Sequence, residues 1–300
     1  MNGNVERGGS EMYLSPREKS KEQREKLGKM VKDIALLNNK EAYDRYGLQG
    51  LLDAECQIKP QGYIKILGKE LVDESDSEVH ERELEFSDAQ HPGMQRYYKT
   101  EYGIEGEENI IAKWRQETSE KPGNQTELAV TALLHKILGD RYFIVRTAKY
   151  DDYHNGIDNL IVDKETGVVI CAFDEFHEGG TGDSTESKYR KLPKTAMDGG
   201  AELRFGLKME DGKLQRASLE NLPVFYLGLN AQELQELTET MITESMTELS
   251  EKESLIYKKL ISTVGTQMNI LQNQKLPEGV SKNLHRFAES FEALNNYPKN

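Results

Sequence analysis

Three hundred residues carrying 39 basic and 52 acidic side chains give a net charge of −13. This excludes a protein that coats nucleic acid by charge alone, because phosphate binding is dominated by Lys and Arg, but it leaves room for a local site. No run approaches the roughly 20 apolar residues that a membrane span needs. The first 23 residues lack the apolar stretch of a signal peptide and are too acidic for a transit peptide, so the expected location is cytoplasmic. The two cysteines, Cys56 and Cys171, stand in unrelated contexts and suggest neither a disulfide framework nor a zinc motif.

Residues 1–14 are Gly- and Ser-rich and are expected to be disordered. The pair Ser15-Pro16 predicts a helix start, followed by Leu27, Met30, Ile34 and Leu37 at helical spacing. A second short helix is expected over 40–54. The segment YIKIL (63–67) reads as a short strand, the acidic VDESDSEVHERELEF (72–86) as a solvated helix or loop, and 107–116 as a further helix. Residues 15–122 are thus expected to form a mainly helical N-terminal region.

From Gly123 to Asn230 the pattern becomes that of an α/β core. A helix over 126–138 places Leu128, Ala132, Leu134, Ile137 and Leu138 at intervals of mostly three or four. Three strands follow, 142–148, 157–162 and 167–173, the last two joined by the turn-forming DKETG. A polar helix starts near Asp183, where Asp183 and Glu186 form a capping box, and Pro193 is expected to end or kink it. Strands over 202–209 and 223–229 complete the core, with DGK as turn material. Residues 231–300 read as helical, with a last helix over 280–294. Their drifting apolar faces suit packing onto the core, with a protein partner or self-association as the alternative.

The chemistry concentrates in acids at strand ends. A tight antiparallel hairpin brings Asp158, at the start of one strand, and Asp174, at the end of the next, to one edge of the sheet. Alternation puts Asp174 on the face of Phe176, and Glu175 on the face of Phe173 and His177. Oxygen ligands on adjacent strand ends are what Mg²⁺ or Mn²⁺ take, and such an ion activates water and stabilises phosphoryl charge. Strand ends also meet solvent, where acids are common. Glu127 is a further ligand or water-orienting base, or else the partner of Asn124 in a capping box. His154, His177 and Glu178 flank the acids as alternative ligands or proton carriers. Lys188 and Lys191, three residues apart on the following helix, share a face that suits contact with phosphate.

The order helix, three strands, helix, strand, together with NQTELAVTALLHKILGDRYFIVRTA, GIDNLIVD and GVVICAFDEF, resembles the PD-(D/E)XK, or restriction-endonuclease-like, nuclease superfamily over residues 124–229. The resemblance implies a restriction-endonuclease-like core with helical extensions. It also implies cleavage of nucleic-acid phosphodiester bonds with Mg²⁺ or Mn²⁺, held by Glu127, Asp158 and either Asp174 or Glu175. The sequence departs from the pattern at Phe176, which stands where the family has a lysine, and His177 stands there in the frame shifted by one. The resemblance then implies either that Lys188 or Lys191 substitutes from the next helix, or that the core has become a non-catalytic scaffold for a partner.

Overall fold

The computed structural model describes residues 16–179, 185–243 and 249–295, and among these the chain forms eleven α-helices and six strands. The expected disorder of 1–14 and the Asp183 end of the capping box lie outside the described residues. The first helix, α1 (Pro16–Tyr46), runs through the expected break at 40 and absorbs residues 40–46 of the second helix, while 47–54 are not helical. No Gly or Pro interrupts residues 29–46, so nothing in the local chain stops it. It buries Leu27, Val31, Ile34 and Ala42, whereas Leu37, expected inward, is exposed. Segment 63–67 is helical rather than a strand. A 3₁₀ turn (Pro60–Tyr63) opened by Pro60 leads into α2 (Ile64–Leu67), and Gly68 at φ +86° ends it. The acidic segment is a helix, α3 (Lys69–Ser87), followed by α4 (Pro92–Tyr102) and α5 (Glu107–Ser119). A small separate core of Ala89, Tyr98, Ile110 and Ile111 holds α4 and α5 together.

The central helix α6 (Pro122–Leu138) begins a turn earlier than the apolar pattern suggests, because Pro122 occupies its first turn and needs no N–H partner there. Its residues 128–134 are all buried. A helix apolar on nearly every side lies between layers, and α6 sits between α1 and the sheet. The sheet consists of β1 (Tyr142–Arg146), β2 (Asn159–Asp163), β3 (Val169–His177) and a final strand. Between β1 and β2 runs a helix that the strand pattern did not show, α7 (Lys149–Asn155), closed by Gly156 in the left-handed conformation that returns the chain to Asp158.

After β3, α8 (Thr185–Met197) carries Pro193 inside it, so the proline neither ends the helix nor limits it to 192. Then β4 (Ala201–Glu210) turns at Asp211-Gly212, both at positive φ, into β5 (Lys213–Leu222). That is the geometry a two-residue hairpin requires. β5 was not expected from sequence. β4 and β5 form a two-stranded sheet of their own, and β6 (Val224–Leu229) joins the main one. The main order is β1-β2-β3-β6, with β6 parallel to β3 and the other neighbours antiparallel. A β-strand, a crossover containing α8, and a parallel β-strand therefore close the core.

The C-terminal helices α9 (Ala231–Thr243), α10 (Glu251–Gln272) and α11 (Glu278–Asn295) pack onto this core. Gln267 of α10 takes over the free edge of β6. Its Oε1 accepts from the Tyr226 N–H at 2.8 Å and its Nε2 donates to the Tyr226 carbonyl at 2.7 Å. A buried edge strand would otherwise leave these groups unsatisfied. On the opposite edge, Arg146 N–H donates to the Cys56 carbonyl and Ile58 N–H to the Arg146 carbonyl, so the loop after α1 closes β1. Both cysteines are buried and free. No described helix is long and apolar enough to cross a membrane.

Candidate active site

Strand register settles which acids meet. Asn159 lies opposite Phe173, so Asp158, immediately before β2, falls beside Asp174 and Glu175. The Glu175 N–H donates to Asp158 Oδ2 at 2.6 Å, which fixes the Asp158 carboxylate against β3. On one face of the sheet, α6 approaches: Thr131 Oγ1 donates to Asn159 Oδ1 at 3.0 Å, and Asn159 shares this face with Phe173 and Glu175. On the other face, Lys188 of α8 reaches down to Asp174, its Nζ at 2.8 and 2.7 Å from the two carboxylate oxygens. The same ammonium lies 5.6 Å from the ring centroid of Phe176 and 5.2 Å from that of Tyr226, which follow Asp174 on this face.

Four carboxyl groups therefore crowd around Asp158. Its pKa is pushed well above the ordinary Asp range, first by burial and then by Glu127, Asp152, Glu175 and Asp174. Burial and Glu127 push Glu175 up to about 8. Burial raises Glu127 to about 7 against the pull of Arg146, whose Nη2 lies 2.5 Å from Glu127 Oε2. Asp152 is also raised, first by burial and against the pull of Arg146.

The buried polar atoms that make no hydrogen bond in the described structure concentrate here. Both Glu175 carboxylate oxygens, Asn159 Nδ2, His177 Nδ1, and Arg146 Nε and Nη1 account for six of the eleven. Buried polar groups are normally satisfied, and a cluster of exceptions marks a place built to receive water, an ion or a ligand. The donors fit a hard divalent cation in their chemistry: they are carboxylate oxygens, several of them destabilised by one another. They do not fit it in their spacing. Among the described residues, no three His, Cys, Asp or Glu side chains are arranged to hold a metal ion, and Glu127 and Asp174 are ion-paired with Arg146 and Lys188.

Glu127 and Glu175 both act on the Asp158 carboxyl, with Asp174 on the neighbouring face, but the acids do not stand at a metal's spacing. The capping role of Glu127 does not hold, because the helix starts at Pro122 and Asn124 instead hydrogen-bonds to the Ser119 carbonyl and accepts from Arg146. Lys188 is buried at the site, whereas Lys191, expected beside it, is exposed. The first is turned into the core by α8 and the second lies a turn further on, past the edge of the buried face. His154 stacks on Tyr150 at 4.5 Å and pairs with Glu78, away from the acids. His177 stands at the end of β3, where it lines a cavity of about 490 Å³ between α1, the start of α6 and α9.

Two participants escaped the sequence reading. Arg146 is a lone charge at the end of an otherwise apolar strand. A cation 3% exposed requires a partner, so YFIVR carried a usable signal. Asp152 had no such signal, because α7 was hidden in a segment too short for periodicity. No protein-family model matches the chain, and no curated protein or solved structure shows significant similarity to it.

Proposed function

We propose that the chain is a nuclease-like protein that hydrolyses nucleic-acid phosphodiester bonds with the help of Mg²⁺ or Mn²⁺. The observation that carries this reading is the joining of Glu127 from α6, Asp158 before β2 and Glu175 on β3 into one buried acidic cluster, with the Lys188 ammonium held by Asp174 beside it. The strand order and the α8 crossover agree with the restriction-endonuclease-like arrangement implied by the resemblance. This reading requires Asp158, Glu175 and Glu127 to draw closer than they stand here in order to hold the cation, which would supply a more acidic water and positive charge beside the phosphoryl oxygens. Lys188 takes the part of the lysine replaced by Phe176, donating to a phosphoryl oxygen or to the attacking water. Its burial over two aromatic rings limits its motion. Glu127 is raised to about 7 and is suited to exchange a proton near neutral pH.

Labelled single-stranded, double-stranded and branched DNA, incubated with Mn²⁺ or Mg²⁺ and with chelator, tests this. Metal-dependent cleavage by the parent and its loss in Asp158→Asn is the expected result. Absence of cleavage by the parent, or equal cleavage by both proteins, refutes it.

A second reading is favoured by one observation: Glu127 and Asp174 are each committed to a basic side chain. That arrangement suits a nuclease-like scaffold whose chemistry has been lost and whose helical surfaces engage a protein partner. Absence of Mn²⁺ binding by titration calorimetry, with recovery of a stable partner complex, selects it.

A further inference from the structure

Arg146 is a buried cation that its surroundings leave half satisfied. Its backbone is pinned on both sides, the N–H by the Cys56 carbonyl at 2.9 Å and the carbonyl by the Ile58 N–H at 3.0 Å, so only the side chain can take up another place. That side chain is 4% exposed, and a guanidinium carries five N–H donors. Nη2 meets Glu127 Oε2 at 2.5 Å and Asn124 Oδ1 at 3.4 Å, whereas Nε and Nη1 have no hydrogen-bond partner among the described residues. An arginine kept for packing alone is expected to use its whole fork, because each buried donor left over costs stability. A second place for the head group lies alongside. A cavity of about 340 Å³ between α1, the end of α5 and the start of α6 is lined by Arg146 together with Glu55, Ser119, Asn124 and Gln125. The charge of Glu55 already acts on the guanidinium, and the amide and hydroxyl oxygens beside it are further acceptors.

The acids beyond Glu127 are held differently. Asp158 is fixed against β3 by the Glu175 N–H at 2.6 Å, and of the three proposed ligands Glu127 is the one ion-paired to a side-chain cation among the described residues. We propose that Arg146 is a latch on Glu127: paired as described it holds that carboxylate away from Asp158 and Glu175, and turned into the cavity it releases Glu127 to join them around a divalent cation. A dication and a guanidinium on one buried carboxylate repel each other, so a divalent ion favours the second arrangement and the latched pair opposes its entry. This rests on the proposed metal-dependent reading and deepens it. The spacing that does not suit a metal ion is that of the latched arrangement, and Arg146 is a positioning residue that acts through Glu127.

Titration calorimetry of the full chain with Mn²⁺ at about pH 8, without nucleic acid, tests the latch, since fewer of the acids hold protons there. Arg146→Met and Arg146→Gln remove the charge and should tighten Mn²⁺ on the order of 10-fold, the reverse of what a merely structural loss would do. In a Glu127→Gln background the same substitutions should change the affinity little, because nothing is left for Arg146 to hold. In the unchanged protein, the assigned Arg146 Nε–H signal should exchange with solvent faster as Mg²⁺ is added, and this measurement decides if neither neutral variant folds by circular dichroism. Unchanged or weaker Mn²⁺ binding in the folded neutral variants, an equal gain in the Glu127→Gln background, no Mn²⁺ binding by any of the proteins, or unchanged or slower exchange overturns the latch. Cleavage of DNA is scored separately. A parent that cleaves while its neutral variants bind Mn²⁺ no more tightly keeps the nuclease reading and loses the latch. Tighter binding in variants of a parent that cuts nothing keeps the latch and loses the nuclease reading.

Discussion

Replacing Glu175 by Gln should stabilise the fold. An acid whose value is raised from 4.5 to about 8 holds its proton in the folded chain over a range where the unfolded chain has lost it. Between these values the folded state binds more protons, so stability falls as pH rises, by about 1.4 kcal/mol per unit, and the full penalty stands above about 8. At pH 7 the interval from 4.5 covers about 2.5 units, or about 3 kcal/mol. Glu175 is 5% exposed with neither oxygen hydrogen-bonded, so solvent screens little of this. The substituted glutamine would carry no charge, and its carbonyl would keep the Asn159 contact that already works against burial at Glu175. Urea unfolding at pH 5, 7 and 8.5 measures it. The parent should weaken towards high pH, Glu175→Gln should be flatter, and the two should converge near pH 5. If Mn²⁺ is held here, saturating Mn²⁺ at about 100 times Kd should restore about 2.7 kcal/mol to the parent and little to the variant. A variant no more stable than the parent at pH 8.5 would show that the acidic cluster is not electrostatically strained and would remove the physical basis of the site.

Glu253→Ala should lose about 3–5 kcal/mol in the same assay, because Lys136 and Glu253 are both buried and joined by two 2.8 Å contacts, and the truncation strands the ammonium. It also removes the reciprocal Ser250–Glu253 cap of α10. His135 gives a pH dependence of the opposite sense. Burial and nearby Lys164 lower it to about 4, so its contribution is complete above 6.5 and is lost as pH falls towards 4. That is at most about 3 kcal/mol, reduced by its partial solvent contact, and a shallower acid slope in His135→Leu checks it. Lys188→Met should abolish any cleavage while retaining the fold, and Lys188→Arg should recover little, because a planar fork cannot reproduce a point ammonium between Asp174 and two rings. Gly200→Ala should destabilise measurably in thermal unfolding: φ is +75° and a Cβ would stand 2.8 Å from the Leu222 carbonyl.

Periodicity alone located α6, the apolar strands β1 to β3, and β6. Each is a buried element whose side chains had to be apolar at the right interval, so the local pattern carried the fold. The hairpin turn of DKETG placed Asp158 beside Asp174 and Glu175 for the same reason. Segments whose structure comes from packing were less legible. YIKIL became helix because Pro60 and Gly68 bound it and Tyr63 is anchored at 2.6 Å to the Gly206 carbonyl, 143 residues away. Helix α7 exists because Asp151 accepts from the N–H groups of Arg204 and Phe205 at 2.8 and 3.1 Å, a tie to β4 that no local propensity encodes. Sequence could name Glu127 and Lys188 but not their partners. Only the fold set Arg146 against the first and Asp174 against the second, because ion pairing depends on which elements a crossover brings together. The residue types at strand ends were fixed by the chain itself. Their charge state and company were decided by the burial that α6, α7 and α8 impose around them.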